Sequence, residues 1–391
     1  MATTGAEPRD EIARQQRAAL TELQQAFGPG AAGATAWAPG RCTLVGDHVD
    51  YAGGMVLCAA IGLGVAVALR PSADAAFRVI SAGRLVERAR PGPVGDIGDR
   101  IFAAVIALRD TGIAVPPVEV GVSATLPESA GLASSAAITC AVVTALLRLV
   151  DSSLAMRDMI AVALHAEREI VGIPCGPLDP TSIIAAPAGG ALLLDCARDT
   201  WEPLVWPWDD VMMCICATAE AHDVGGAQYR ERRSEVETAL RAVGASSCQS
   251  LDDDQLAAGF ALTVAEARRL RHVVGESARV VVAAEALKQA DVQALGELMS
   301  ASHRSLRDDH EVSTDLIDAV VSAACRIDGC FGARIVGAGF GGSVLALVSR
   351  GASQRCAAAM AASAGVDIAR TWVLAPGEGL GVIASDVIRS R

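Results

Sequence analysis

Three short segments of this chain carry side chains able to do chemistry. Between Gly40 and Gly54 lie Arg41, Asp47, His48 and Asp50. Such a density of polar groups suits a grip on a small polyhydroxylated molecule, and a surface turn laced with salt bridges is the competing reading. Buried without partners, these groups would be expensive. The second segment, Gly131-Leu132-Ala133-Ser134-Ser135, runs into an apolar stretch. A helix that starts there offers free N–H groups and a positive dipole end, which together make an anion site. The hydroxyls of Ser134 and Ser135 suit phosphate or Mg²⁺, although a serine N-cap would look the same. The third is Cys175-Gly176-Pro177-Leu178-Asp179. Asp179 precedes Pro180, so it reads either as the N-cap of a helix with proline in its first position, or as a carboxylate that accepts or orients the proton of a hydroxyl nucleophile. Together the three segments suggest a small-molecule kinase.

Lysine usage narrows the mechanism. Lys288 is the sole lysine of the chain. A P-loop needs Gly-Lys-Ser/Thr and a protein kinase needs a strand lysine, so both classes are excluded. Phosphate must be held by backbone amides, hydroxyls, metal and arginine. Two further segments stand out. Gly337–Gly342 is a glycine cluster that reads as a tight turn or as a close backbone approach to a ligand. Ser302–His310 reads as a solvated helix end.

The elements that must position these groups follow from periodicity and turn signals. Helices are expected over Pro8–Phe27, Ser135–Val150, Met156–Val171, Tyr229–Val243, Val264–Glu276, Ala278–Gln289, Val292–Ser302 and Asp315–Ile327. Strands are expected over Thr43–Val45, Val56–Arg70, Val118–Thr125, Ala191–Asp195, Asp210–Ala217, Ala333–Val336, Ser343–Val348, Trp372–Ala375 and Gly381–Ala384. Gly28–Gly40 reads as a Gly/Ala-rich loop. The pattern is α+β, without regular β-α-β alternation.

Composition sets the class. With 391 residues the chain suits two domains, expected at 1–196 and 197–391. Mean hydropathy is +0.37, yet no stretch reaches the length of a membrane span. Leu57–Leu69 is apolar but glycine-punctuated, and reads as a buried strand. The first residues lack an apolar signal core, and the eleven cysteines are scattered. Both point to reduced thiols in the cytoplasm. The net charge of −12, without a basic aromatic patch, argues against a nucleic-acid partner. No membrane partner is expected, and the chain is expected to be a monomer or weak homo-oligomer.

Taken together, Arg41–Gly54, Pro127–Ala137 and Gly337–Gly342 resemble, in order, the three motifs of the GHMP family of small-molecule kinases. Two more stretches, His222 to Tyr229 with Arg232 and Arg233, and Ser302–Asp309 continuing to Ser313, resemble its galactokinase branch. The resemblance covers residue 36 to the C-terminus. It implies a two-lobed GHMP kinase fold with the active site between the lobes. It further implies that Arg41, Asp47, His48, Asp50, Gly176 and Tyr229 contact a sugar, that Asp179 is the catalytic aspartate with Arg41 beside it, and that Gly131, Leu132, Ser134 and Ser135 hold the ATP phosphates. Ser135 and Glu167 match the Mg²⁺ positions.

The implied reaction is ATP-dependent phosphorylation of a monosaccharide at its anomeric hydroxyl, with galactose as the first candidate. Two alternatives stay open at this point: a kinase for a pentose, an amino sugar or a C6-modified hexose, and a catalytically silent sugar- and ATP-binding regulator. The chain also departs from the branch. Asp47 replaces the usual glutamate, Ala221 a basic residue, Pro180 a glutamine and Thr43 an asparagine, while Glu128-Ser129-Ala130 replaces part of a glycine run.

Overall fold

The structure is a computed structural model that describes residues 8–127, 130–220, 226–251 and 262–380. It begins with α1 (Pro8–Phe27), followed by two long paired strands, β1 (Ala34–Val45) and β2 (Met55–Pro71). The expected Gly28–Gly40 loop is thus strand from Ala34 onward, and every residue of β1 is buried. The small residues misread as loop composition are there for packing. Trp37 meets Ile12, Ala19 and Leu23 of α1 on one face, while Ala36 and Ala38 join the main core on the other. The Trp37 indole N–H donates to Gln15 Oε1 at 2.9 Å, which satisfies a fully buried polar group. At Gly40 a Cβ would stand 2.7 Å from the Leu132 carbonyl oxygen, so only glycine lets the Gly131–Ser135 segment lie against the strand.

The first sheet has the order β4-β3-β5-β2-β6-β7, with β1 on the other edge of β2. Its further strands are β3 (Phe77–Ser81), β4 (Arg84–Arg88), β5 (Val118–Ala124), β6 (Gly190–Asp195) and β7 (Thr200–Val205). Only β3 and β5 run parallel. β3, β4 and β7 were not expected, because β4 and β7 are polar, half-exposed edge segments without a clean alternation. α2 (Asp99–Asp110) was also not expected. α3 (Ser134–Leu149) packs against β1 and β2. The expected helix over Met156–Val171 divides into α4 (Met156–His165) and a π-helical turn (Ala166–Val171), closed by Gly172 at φ +81°. Such turns recur at functional sites, and this one carries Glu167. α5 (Leu178–Ala185) follows.

The second sheet, β11-β8-β10-β9, is antiparallel throughout. It comprises β8 (Val211–Ala217), β9 (Cys330–Val336), β10 (Ser343–Ser349) and β11 (Thr371–Leu374). α6 (Ala227–Ala242), α7 (Val264–Lys288), α8 (Val292–Asp308) and α9 (Asp315–Cys325) precede β9, and α10 (Ser353–Ala364), also unexpected, follows β10. Instead of two helices meeting at Ser277, α7 is continuous, and the Ser277 hydroxyl accepts the Met55 amide at 3.0 Å. One continuous apolar core spans both sheets, since Val280 and Ala283 of α7 and Leu345 and Leu347 of β10 join the core of β1 and β2. Gly381–Ala384 lies outside the described residues.

All eleven cysteines are free thiols. Among the described residues no helix is long and apolar enough to cross a membrane.

Candidate active site

Two glycine loops meet backbone to backbone. A Cβ on Gly131 would lie 2.7 Å from the Val336 carbonyl oxygen, and one on Gly337 would lie 2.8 Å from the Gly131 Cα. Both glycines have positive φ, +73° and +89°. The glycine cluster after β9 therefore makes a hairpin and a close approach at once. Beside this contact is a cavity of about 480 Å³, lined by Arg41, Asp47, His48, Asp50, Gly131, Leu132, Ser134, Ser135, Gly176, Asp179 and Tyr229, with Gly337 and Ala338. Of the residues given catalytic, sugar, phosphate or metal roles from the sequence, Glu167 alone is set back from it, behind Ser135.

The Gly131–Ser135 segment reaches the cavity, and among the described residues its amides have no acceptor. Ala133 takes the N-cap position of α3 at φ +61°, without a side-chain cap. Ser134 and Ser135 are the first helical residues, so the serine-cap reading does not hold. Orphan N–H groups and the dipole end of a 16-residue helix together favour an anion. The Leu132 carbonyl accepts the Arg41 amide at 3.2 Å, which ties the loop to β1.

Arg41 and Asp179 form the central ion pair. The guanidinium Nε and Nη2 both reach Asp179 Oδ1, at 2.9 and 2.6 Å, and Nη1 donates to the Gly131 carbonyl at 2.5 Å. The arginine side chain is 6% exposed and the aspartate 30%. Asp179 does not cap α5. That helix starts two residues after Gly176 with Pro177 in the cap position, which puts Asp179 in the first turn with its carboxylate turned to Arg41.

Asp50 opens a 3-10 turn (Asp50–Ala52). Its Oδ2 sits so close to Gly176 that a Cβ on Gly176 would overlap it. Burial, and then the nearby charge of Asp179, push its carboxyl up to about 6. His48, in the left-handed region at φ +64°, has Nε2 at 3.0 Å from the Ala338 carbonyl and Nδ1 at 3.0 Å from the Tyr51 hydroxyl. A carbonyl only accepts, so Nε2 carries the proton and Nδ1 accepts from Tyr51. The Tyr229 ring stands 5.7 Å from His48 and 6.1 Å from Tyr51. Burial pushes its hydroxyl up, reinforced by Asp50.

Asp47 lines the cavity but has already committed one oxygen. Its Oδ2 accepts from Arg334 Nη2 at 2.6 Å and from the Gly337 amide at 3.3 Å. Arg334 is fully buried, donates to the Leu44 carbonyl at 3.1 Å, and lies 3.7 Å from Glu276 Oε1. Glu276 accepts the Gly46 amide at 2.8 Å and the Ser302 hydroxyl. Ser302 and His303 are buried, so this stretch is no solvated helix end. The sequence reading missed Arg334 and Glu276. For Arg334 a signal existed: a lone charge inside the apolar strand that enters the glycine cluster.

Ser135 Oγ and Thr139 Oγ1 each donate to Glu167 Oε1 at 3.2 Å, and Arg100 Nε donates to Ser135 Oγ. Burial and the charge of Asp179 push the Glu167 carboxyl up, against the pull of Arg100. A buried carboxylate and a hydroxyl are hard oxygen donors of the kind Mg²⁺ takes. Among the described residues no three His, Cys, Asp or Glu side chains converge on a metal site. Glu128, Ala221 and His222 lie outside the described residues.

Comparison with known proteins bears on this site. The family model of the GHMP kinases N terminal domain matches residues 99–186, the galactokinase galactose-binding signature residues 21–71, and the GHMP kinases C terminal model residues 283–367. The galactokinase of Roseiflexus sp. (strain RS-1) is 35% identical over 324 residues, 80% of this chain and 83% of its own. That of Bos taurus is 33% identical over 332 residues, 81% and 84%. The crystal structure of Lactococcus lactis galactokinase complexed with galactose superposes with a TM-score of 0.85 at 25% identity, covering 92% of this chain and 98% of that one. The Methanococcus jannaschii mevalonate kinase shares the fold, with a TM-score of 0.67 at 18% identity over 89% and 99%.

Proposed function

This chain belongs to the galactokinase family within the GHMP kinases, and from that premise we propose which of its residues perform the family's reaction. The chain is a sugar kinase that transfers the γ-phosphoryl group of ATP to galactose, giving galactose 1-phosphate. Phosphoryl transfer asks of a protein mainly position and electrostatics. In our reading the anomeric hydroxyl lies at Asp179, which accepts its proton as the oxygen attacks phosphorus in line. Arg41 holds Asp179 Oδ1 with two N–H groups and leaves Oδ2 for the hydroxyl. The Gly131–Ser135 loop and the uncapped start of α3 receive the phosphates. Asp47, His48, Asp50, Gly176 and Tyr229 grip the sugar. Asp47 does so with its Oδ2 held by Arg334 and the Gly337 amide, and this hold also braces the segment that carries His48 and Asp50.

The observation that carries this reading is the Arg41–Asp179 pair set against the Gly131 carbonyl, one wall of a cavity whose other wall is an uncapped helix start. Ser135 and Glu167 would hold Mg²⁺, which when bound supplies positive charge to the phosphates. The sequence division at 196/197 would split the β6–β7 hairpin of the first sheet, so we assign the lobe boundary to the segment between β7 and β8, with Gly337 and Ala338 of the second lobe lining the same cavity as Arg41 and Asp179. We further propose a cytoplasmic monomer or weak homo-oligomer, a setting supported by the eleven free thiols.

The test is ADP release with Mg·ATP over a panel of sugars, comparing the wild type with Asp179→Asn. Turnover on galactose that disappears in the variant supports the assignment. Turnover on another sugar alone transfers the question to Asp47. Full activity in the variant removes Asp179 from the mechanism.

A further inference from the structure

Nucleotide phosphates bring several negative charges into a chain with one lysine, and that lysine, Lys288, is paired with Glu202. Three arginines line the cavity: Arg41, Arg84 and Arg100. Arg41 is spent on Asp179 and Gly131. Arg84 is exposed on the β3–β4 hairpin. Arg100 is partly buried, beside the phosphate loop. Its root is fixed, because the neighbouring Asp99 accepts the Val94 and Gly95 amides at 2.9 and 2.8 Å and Arg88 Nη2 at 2.7 Å, which anchors the first turn of α2. Its head spends Nε on the Ser135 hydroxyl, while Nη1 and Nη2 find no acceptor among the described residues. Ser135 passes the contact on to Glu167, whose buried carboxylate Arg100 helps to keep charged.

We propose that Arg100 is a nucleotide-binding residue: without nucleotide its charge balances Glu167 through Ser135, and when nucleotide enters, Nη1 and Nη2 bind the phosphates, with or without metal. A half-paired guanidinium beside an anion-binding helix start is a seat for phosphate, because its fork of donors matches phosphate oxygens. Ser135 and Glu167 would hold Mg²⁺, and Arg100 Nε, now on the Ser135 hydroxyl, would then be available to the phosphates together with Nη1 and Nη2. The proposal rests on the kinase reading given above and deepens it at the nucleotide end.

The experiment is calorimetric titration with ADP, in EDTA and in excess Mg²⁺, of wild type, Arg100→Gln, Arg100→Lys and Glu167→Gln. Galactose binding by each variant serves as the check on folding. Arg100→Gln is expected to weaken metal-free ADP binding by about tenfold or more, the usual weight of a hydrogen bond to a charged group. Arg100→Lys recovers part of the loss. Glu167→Gln removes the carboxylate charge that Arg100 balances, so metal-free ADP is expected to bind more tightly while the gain from Mg²⁺ is lost. Arg100→Gln that binds galactose normally and metal-free ADP as tightly as wild type overturns the proposal. A wild type that binds galactose but no ADP in either condition overturns the kinase reading as well, so the two failures are distinguishable.

Discussion

Asp50 and Gly176 are in such close contact that the carboxylate occupies the space a side chain at Gly176 would need. Glycine at 176 is therefore a requirement of the Asp50 position, and it is set by packing, since no positive φ is involved there. Gly176→Ala must push the carboxylate or the Cys175–Pro177 segment aside. The expected result is a loss of about 10²-fold in kcat/KM for galactose, the scale of small displacements in a positioned site, carried by KM for the sugar. Steady-state kinetics with each substrate varied separately checks this, and an unchanged sugar KM would contradict it.

Arg41 holds Asp179 through one oxygen and the Gly131 carbonyl through its remaining nitrogen. Asp179→Asn keeps the shape and removes the proton acceptor, so kcat should fall by about 10²–10⁴-fold while the affinity for ADP is retained. Arg41→Met loosens both Asp179 and the phosphate loop, and should therefore raise KM for ATP as well as lower kcat. If Arg41→Met changed kcat alone, its bond to Gly131 would have no part in nucleotide binding.

The parts of this fold legible in the sequence are those where one physical signal dominates. α1 and α3 are long and periodic, and their bounds emerge nearly to the residue. β1 was missed over Ala34–Cys42, mostly because small residues look alike in a loop and in a strand pressed between two helices; what separates them is Leu132 and Trp37 at close range, which no local pattern records. Asp179 was legible as a polar residue at a helix start, but its release from capping depends on Pro177, two residues earlier. Arg100 gave no signal at all. An arginine in the first turn of a helix is ordinary until the fold brings it to Ser135, 35 residues away.

The Arg334 guanidinium is the cation shared by two buried carboxylates, Asp47 at 2.6 Å and Glu276 at 3.7 Å. Burial keeps the pair tight but makes each charge dependent on the other. Arg334→Met leaves the Asp47 carboxylate in a dry site without its bonded cation, while Glu276 keeps Arg279 Nη1 on its Oε2. The expected destabilisation is about 3–5 kcal/mol, read as a lower urea midpoint at an unchanged slope. Adding Asp47→Asn to this variant should recover part of the loss. Additivity of the two substitutions would show that the pair is not coupled.

Asp50 makes the site sensitive to pH, and the sign can be worked out. Its carboxyl rises from the ordinary 3.8 to about 6 through burial, aided by the charge of Asp179. The folded state therefore binds a proton more readily than the unfolded state. Ionised Asp50 weakens the fold, with no effect below about pH 4 and the full effect above about pH 6. Stability from this group falls as pH rises through that window, and Asp50→Asn should gain thermal stability over wild type at pH 7.5 but not at pH 4. Sugar binding runs the opposite way, because only the carboxylate accepts from two sugar hydroxyls. kcat/KM for galactose should thus drop below about pH 6 in the wild type, and Asp50→Asn should lower the rate and flatten that limb. An acid limb of the same midpoint in Asp50→Asn would assign it to another group; a stability gain independent of pH would show that Asp50 does not titrate in this range.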